Sequence, residues 1–565
     1  MGTIKNSSLA LAGFSLVAAL GASTALAQSI PPNSSLPNVI ERQNRIETLR
    51  PGVGGAPVIS APKAEKKSIS GTAQFTLKAV KIEGGTVYGE EELKPLYANK
   101  IGEKISLDDL GDVAADITSY YRNHGYILTR AVVPPQRAEG GVVTIRIVEG
   151  FVNEVKLQGD VGNGRPLLRN YADKIQAAKP LNASTLERYL LLMEDLPGVE
   201  ARAVLQPAAE QTGASDVIIT ISRKPITASA SFDNRGTRYL GPYQLSATVA
   251  ANNAFGLEEQ TQLRAASSIL QTDEFAYGEI RHEEQIGNEG TKLFFSGSYV
   301  DTHPGYLLTP LDIHGISYAL SIGASHPLIR SRQQNWFVNT DFTWRDVNTD
   351  ALGSNLYYDK TRAITVGSTF DFVDPLAAIN RLEASASQGI AVGDSAGQQR
   401  SRANADSSYT KINAKVSRLQ PLYDAFSLQV SASGQYAFQP LLASEEFALG
   451  GQEFGSAYDT AELTGDSGAA GRAELQYNQS PGLNYLKQYQ VYGFYDIGEV
   501  YNIRAIAGSE QSVQSLSSAG VGARVNLIDA VSASVEGAWP LTRSVAALGG
   551  NGNDPRVFFN VQYRY

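Results

Sequence analysis

The residue types that usually carry catalysis or hold metals are sparse in this 565-residue chain. It has no cysteine, which removes thiol nucleophiles, thiolate ligands and any disulfide framework. Its five histidines, His124, His282, His303, His314 and His326, show no H-x-x-x-H or H-E-x-x-H spacing, so neither a structural nor a catalytic zinc site is expected. Asp301, His303 and Asp346 could be drawn together as a hydrolytic constellation of the kind carried on barrel rims. Polar loop residues of this sort are ordinarily solvated, and no enzyme activity is expected. No nucleotide-binding loop occurs, no cofactor is implied, and a net charge of −9 argues against a nucleic-acid partner.

The most specific pattern is not catalytic. Residues 447–459 read Phe-Ala-Leu-Gly-Gly-Gln-Glu-Phe-Gly-Ser-Ala-Tyr-Asp, and Gly465-Asp466-Ser467-Gly468 follow. Nothing in this stretch alternates, and Gly450, Gly451 and Gly455 allow the chain to fold back on itself. Downstream, Phe494-x-Asp496-x-Gly498 lies in a predicted strand whose polar face carries Gln490 and Asp496.

The chain from about Ile226 to Tyr565 alternates with period 2. Ile316, Tyr318, Leu320 and Ile322 alternate with Ser317, Ala319, Ser321 and Gly323. Trp336, Val338, Phe342 and Trp344 alternate with Phe337, Asn339, Asp341 and Arg345. The final strand sets Val557, Phe559, Val561, Tyr563 and Tyr565 against Phe558, Asn560, Gln562 and Arg564. About 16 such segments, many ending in aromatics, predict a membrane β-barrel with lipid outside and water inside. A soluble sandwich also alternates, but with shorter strands around a dry core. A barrel this wide would leak, so something should occupy it.

Two small α/β modules precede the barrel, at residues 73–150 and 151–225. In the first, Phe75, Leu77, Val80 and Ile82 mark a strand. A helix capped by Ser106 with Asp109 follows and ends at Gly125, and strands are predicted near Tyr126–Val133 and Val142–Val148. The second repeats the plan. It has strands near Val152–Leu157, Ala203–Gln206 and Val217–Ser222, a helix over Leu167–Ala177, and another starting at Ser184 with Glu187 as capping partner. Before them, residues 28–50 hold a short helix with Asn38 as cap and Val39, Ile40, Ile46 and Leu49 on one face. A Pro/Gly-rich linker covers residues 51–72. Lys5, the apolar run Leu9–Leu20 and Ala25-Leu26-Ala27 predict a signal peptide over residues 1–27.

Taken in order, these features resemble the TpsB transporters of two-partner secretion, the hemolysin and filamentous-hemagglutinin exporters among the POTRA-bearing outer-membrane barrels. The resemblance spans essentially the whole mature chain. Tyr121 to Tyr126, with Gly125, then Pro134 and Gln136, then Glu149 and Gly150, resemble the first POTRA signature. Asp233-Asn234-Arg235-Gly236 resembles the barrel start. Gly450, Gly451, Phe454, Gly455, Ser456, Ala457, Tyr458 and Asp459 align with the sixth-loop motif, and Phe494, Asp496 and Gly498 with the strand motif.

The resemblance implies a plug helix, two POTRA domains and a 16-stranded barrel whose sixth extracellular loop, around residues 441–468, enters the lumen. It places the protein in the outer membrane with its modules in the periplasm, as a monomeric pore in contact with lipid that exports a secreted TpsA-like polypeptide. The family loop carries an Arg that reaches the strand Asp, but Ser456 stands at that position here and Ala457 replaces the following Gly. A buried carboxylate needs a partner, so Arg472, Arg524 and Arg564, on polar strand faces, are the candidate substitutes. The main alternative is an assembly or insertase factor of the same superfamily, which usually carries three or five POTRA modules. A passive porin would not need about 150 residues of periplasmic receptor.

Overall fold

The computed structural model describes residues 32–45, 74–162, 164, 166–208, 211–391, 399–505 and 510–565. The expected signal peptide and linker lie outside the described residues, as do residues 28–31 and 46–50 of the expected plug segment. Among the described residues no helix is long and apolar enough to cross a membrane.

The first helix, α1, covers Pro37–Asn44. Its cap differs from the expectation. Leu36 occupies the N-cap and Pro37 the first turn, where its missing N–H costs nothing. Asn38 lies inside the helix, and its side chain donates to the Ala443 carbonyl at 3.3 Å. Leu36, Val39 and Ile40 are buried.

The first α/β module holds strands β1 (Gln74–Thr76), β2 (Ala79–Glu83), β3 (Lys104–Ser106), β4 (Arg130–Val132) and β5 (Val142–Val148). Its helices are α2 (Glu90–Leu93) and α3 (Leu107–Asn123). The single strand expected over Phe75–Ile82 is broken into β1 and β2, because Leu77 turns into the core while Lys78 bonds Gly141. Helix α3 starts with the expected reciprocal cap: Asp109 N donates to Ser106 Oγ (3.2 Å), and Ser106 N to the Asp109 carboxylate (2.8 Å). Leu110, Val113, Ile117 and Tyr121 pack on the sheet β2–β5–β4. The expected Tyr126–Val133 strand shrinks to β4, since residues 126–129 turn back on the end of α3.

The second module holds β6 (Phe151–Gly159), α4 (Leu167–Ala177), α5 (Ala183–Glu194), β7 (Val199–Pro207) and β8 (Ala214–Arg223). Its strands form the sheet β6–β8–β7. Helix α5 starts one residue earlier than Ser184 predicts. Asn182 is the cap and accepts from Ser184 N (3.0 Å). Glu187 therefore makes no capping box; it accepts from the backbone N–H of Arg332 on a barrel turn (2.7 Å).

From β9 (Ile226–Asp233) to the strand Arg556–Arg564, 16 antiparallel strands close into one barrel. Alternation has its physical consequence here. Tyr318, Leu320 and Ile322 are exposed on the outside, whereas Ser317 and Ser321 are buried inside. A soluble sheet would bury the first set; only lipid rewards the reverse. The closing seam is short, with five register pairs from Asn560↔Asp233 to Arg564↔Ser229.

Candidate functional site: an occupied lumen

The chain between the strands Phe426–Ala437 and Ser467–Gln479 leaves the barrel wall and folds into the lumen. A two-strand ribbon, Phe447–Leu449 with Leu463–Gly465, forms its stem. Gly450, Gly451 and Gly455 all adopt positive φ, at 107°, 92° and 87°, so the turn requires glycine. Phe454, Ala457 and Tyr458 pack against Tyr492, Phe494, Leu516 and Phe558 of the wall. The Tyr458 hydroxyl donates to the Ser517 carbonyl (3.1 Å). Gly498 is explained by the same contact, because a Cβ there would lie 2.8 Å from the Leu449 side chain.

Asp496 is fully buried beneath the loop. Its Oδ2 accepts from the backbone N–H groups of Gly455 (3.2 Å) and Ser456 (2.9 Å) and from Ser518 Oγ (3.0 Å). Arg472 Nη1 stands 3.3 Å from Asp496 Oδ1 and donates to Ser456 Oγ at 2.7 Å. Its guanidinium also lies 4.0 Å from the Phe494 ring centre. The cation thus comes from the neighbouring wall strand, where Arg472 and Asp496 are register partners. Arg524 is one step removed and pairs with Glu474 (2.5 Å). Arg564 is exposed and bonds Gln562 (2.8 Å), away from Asp496. Asp459 pairs with Arg556 (2.8 Å), and Arg235 of the barrel-start motif pairs with Glu536 (2.7 Å).

A second lock joins the loop to α1. Glu41 on the helix meets Arg345 on the wall with two bonds, at 2.9 and 3.0 Å, and accepts from Ser317 Oγ (3.1 Å). Arg345 also binds Glu445 at the loop root (2.8 Å), and Glu445 binds Lys411 on another wall strand (2.8 Å). Arg42 donates to the Glu446 carbonyl (2.8 Å) and Asn33 to Thr464 Oγ1 (2.7 Å). One buried arginine therefore serves both bodies that fill the barrel. Arg402 fastens the loop root to Asp466 (2.5 Å), Glu446 (3.1 Å) and Glu510 (2.8 Å). Nothing in the sequence pattern singles out Glu41, Glu445, Arg345 and Lys411 as partners. Alternation already placed Arg345 on an inner face, but its partners depend on where a separate helix docks.

Below the loop an open chamber of about 710 Å³ faces the periplasm. Both signs of charge line it, including Arg45, Arg281 and Lys415 with Asp341, Glu383 and Glu453. The second module is fixed to this end of the barrel. Asp195 receives two bonds from Arg330 (2.8 Å each), Arg223 grips Glu258 (2.7 Å), and Glu289 takes Lys174 (3.1 Å) and the Tyr189 hydroxyl (3.0 Å). Burial beside the Asp195 carboxylate pushes the Glu194 carboxyl up to about 7.

The POTRA-signature residues act as joints. Gly125 (φ 92°) accepts at its carbonyl from Ala183 N (2.8 Å) and Gly150 from Leu181 N (2.9 Å), tying the modules together. Glu149 accepts from Thr86 and Val87 backbone N–H groups (2.7 and 3.0 Å). Gln136 pairs both its amide atoms with the Thr144 backbone (2.6 and 2.7 Å). The Tyr126 ring meets Tyr121 edge-on, and Pro134 lies in the loop between β4 and β5.

Comparison with known proteins agrees with this architecture. Residues 213–525 match the family description "Haemolysin secretion/activation protein ShlB/FhaC/HecB", and residues 75–150 match "POTRA domain, ShlB-type". The heme/hemopexin transporter protein HuxB of Haemophilus influenzae is 24% identical over 470 residues, covering 80% of this chain and 81% of the relative. The structure of CdiB from Escherichia coli superposes with a TM-score of 0.73 at 19% identity, over 95% of this chain and 99% of that one. BamA from Haemophilus ducreyi, lacking its first three POTRA domains, is more distant. Its TM-score is 0.50 at 13% identity, over 87% of this chain and all of that one (100%). A closed 16-strand barrel with an α/β periplasmic region and the family match over most of the chain lead to one conclusion: the chain belongs to the ShlB/FhaC/HecB family, the outer-membrane transporters of two-partner secretion.

Proposed function

We propose that this transporter takes up its exoprotein client in extended form on the open edge of β7 and feeds it directly into the barrel. The carrying observation is the edge itself. Strand β7 is nine residues long and pairs only with β8 among the described strands. The other open edges of the two modules are weaker templates: β2 has five residues, β1, β3 and β4 have three each, and β6 has a register break between Val152 and Glu154. An unpaired edge offers main-chain hydrogen bonds with little demand on sequence. Strand β7 also begins at the barrel. The Gly198 carbonyl just before it accepts from Lys224 N (2.8 Å), two residues ahead of β9. A segment paired along β7 would end at the charged chamber.

The chamber's mostly polar lining of mixed charge suits passage of an extended chain, because it offers little apolar surface for the client to settle on. Export then requires α1 and the lumen loop to move aside. The barrel closes within one chain, which supports a monomeric pore, and its apolar outer face supports direct contact with lipid. The test is a photo-crosslinking amino acid placed at Val204, which is 41% exposed on β7, in cells that produce the client. Crosslinks to the client should form at Val204 and be absent at Val132 on β4. Equal crosslinking at both positions, or none at Val204 during active secretion, would remove β7 as the capture edge.

A further inference from the structure

Two histidines at opposite ends of one hairpin loop meet at the extracellular rim of the barrel. The strand Thr291–Thr302 ends beside Asp301 and His303, and the strand His314–Arg330 begins with His314. Asp301 Oδ1 lies 3.1 Å from His303 Nδ1 and 3.2 Å from His314 Nε2. Asp301, His303 and His314 are the one group of three metal-ligating side chains brought together among the described residues. The spacing H-x10-H matches no helical zinc motif, so only the hairpin reveals it.

We propose that Asp301, His303 and His314 form a binding site for a divalent transition-metal ion of the Zn²⁺ type. Four observations support it. First, the two separations from Oδ1 are close to the edge of a tetrahedron with metal–ligand bonds of about 2.0–2.1 Å, which is about 3.3 Å. Second, the carboxylate is oriented: the Tyr299 hydroxyl donates to Oδ2 at 2.9 Å, which leaves Oδ1 turned toward the imidazoles. Such an outer hydrogen bond is what fixes a ligating carboxylate in known sites. Third, Nε2 of His314 is buried and faces the Asp301 carboxylate at 3.2 Å without hydrogen-bond geometry. The other three histidines are each bonded, His124 to the Tyr120 carbonyl, His282 to Thr261 and His326 to Thr291. Fourth, two imidazoles with one carboxylate favour zinc, copper or nickel over magnesium or calcium, which prefer all-oxygen shells.

The two rings are stacked, 4.0 Å apart and 16° from parallel, so one must tilt to aim its nitrogen at a shared ion. The His303 side chain, 49% exposed, has room to do so. The three ligands leave a fourth position open to solvent. The ion would fasten the two ends of the segment 303–313. Leu308 and Ile313 of that segment pack inward against Ile40 of α1 and Tyr239, so the site sits at the base of a loop that covers the plug.

The test uses full-length protein folded in detergent, stripped with EDTA and titrated with Co²⁺ by visible absorption, then displaced with Zn²⁺. One equivalent should bind with a tetrahedral cobalt spectrum. His303→Ala and His314→Ala should each abolish saturable binding, Tyr299→Phe should weaken it about tenfold, and His282→Ala should leave it unchanged. Folding of each variant is checked by heat-modifiable mobility. For any variant that fails to fold, Zn²⁺ protection of wild-type His303 and His314 from diethylpyrocarbonate decides, with His124 as the unprotected control. No saturable binding, binding that survives both histidine substitutions, or equal modification with and without Zn²⁺ would overturn the site.

Discussion

At the scale of single residues, the lumen is governed by two buried arginines that come from the wall. Arg472 supplies the cation beside Asp496. Because Ser456 is small, the neighbouring strand can place its guanidinium on Ser456 Oγ and Asp496 at once. Arg472→Ala leaves Asp496 with its three hydrogen bonds but no counter-charge. Removing one partner of a buried pair costs about 3–5 kcal/mol. The loop should loosen, and single-channel recordings in planar bilayers should show more frequent and larger openings. Ser456→Arg alone would crowd two guanidinium groups against Asp496 and should also open the channel. Combined with Arg472→Ser it should restore the quiet state, and a double variant as open as Arg472→Ala would refute the exchange. Arg345 has a wider reach, because Glu41 and Glu445 share it. Arg345→Met should free both α1 and the loop, whereas Glu41→Gln should free α1 alone. The chain has no native cysteine, so Val39→Cys reports directly. Maleimide labelling at that position should accelerate in both backgrounds, with loop-gated conductance changing only in Arg345→Met.

At the scale of elements, α1 illustrates dependence on context. It has eight residues and no side-chain cap, well short of the length at which an isolated helix is stable in water. Its helicity comes from the wall and loop that hold it. The opposite case is α3, whose Ser106–Asp109 cap and apolar stripe were legible directly and appear as predicted. Helix α5 carries a pH-sensitive joint at its end, where Glu194 adjoins the Asp195–Arg330 pair that docks the module on the barrel. With its folded value raised to about 7 from an ordinary 4.5, the folded, docked state holds the extra proton between those limits. Its stabilisation is therefore complete below about 4.5 and is lost as pH rises through about 7. Limited proteolysis of the second module should quicken between pH 5 and pH 8 (roughly the window in which the group titrates), and Glu194→Gln should flatten that dependence. An unchanged pH profile in the variant would assign the effect elsewhere.

At the scale of the whole molecule, receptor, barrel and plug form one connected path. The second module is joined to the periplasmic end of the barrel by buried ion pairs. On the proposed path, α1 leaves the lumen for transport. A Cβ built at Gly315 would lie 3.0 Å from Cδ of Pro37, so the two positions face each other where α1 meets the wall. Pro37→Cys with Gly315→Cys should therefore tether α1 to the wall. Secretion should stop under oxidising conditions and recover on adding reductant, with each single variant unaffected. Full secretion by the oxidised double variant would mean that the client passes with α1 in place.

The sequence by itself determined the barrel, its strand count, the two α/β modules and the residues of the lumen loop. Each of these depends on a local period: two for strands between lipid and water, 3.6 for α3 and α4, and glycine where the backbone must turn left. Tertiary structure alone decided the pairings. Arg472 rather than Arg524 or Arg564 meets Asp496 because of strand register, and a shift of one residue would have reversed the face. Glu41 meets Arg345, and His303 meets His314, because a docked helix and a hairpin bring distant positions together. Period reports which face a side chain takes. It carries no information about what stands opposite, and in an occupied lumen the opposite face holds the charge that decides what stays and what moves.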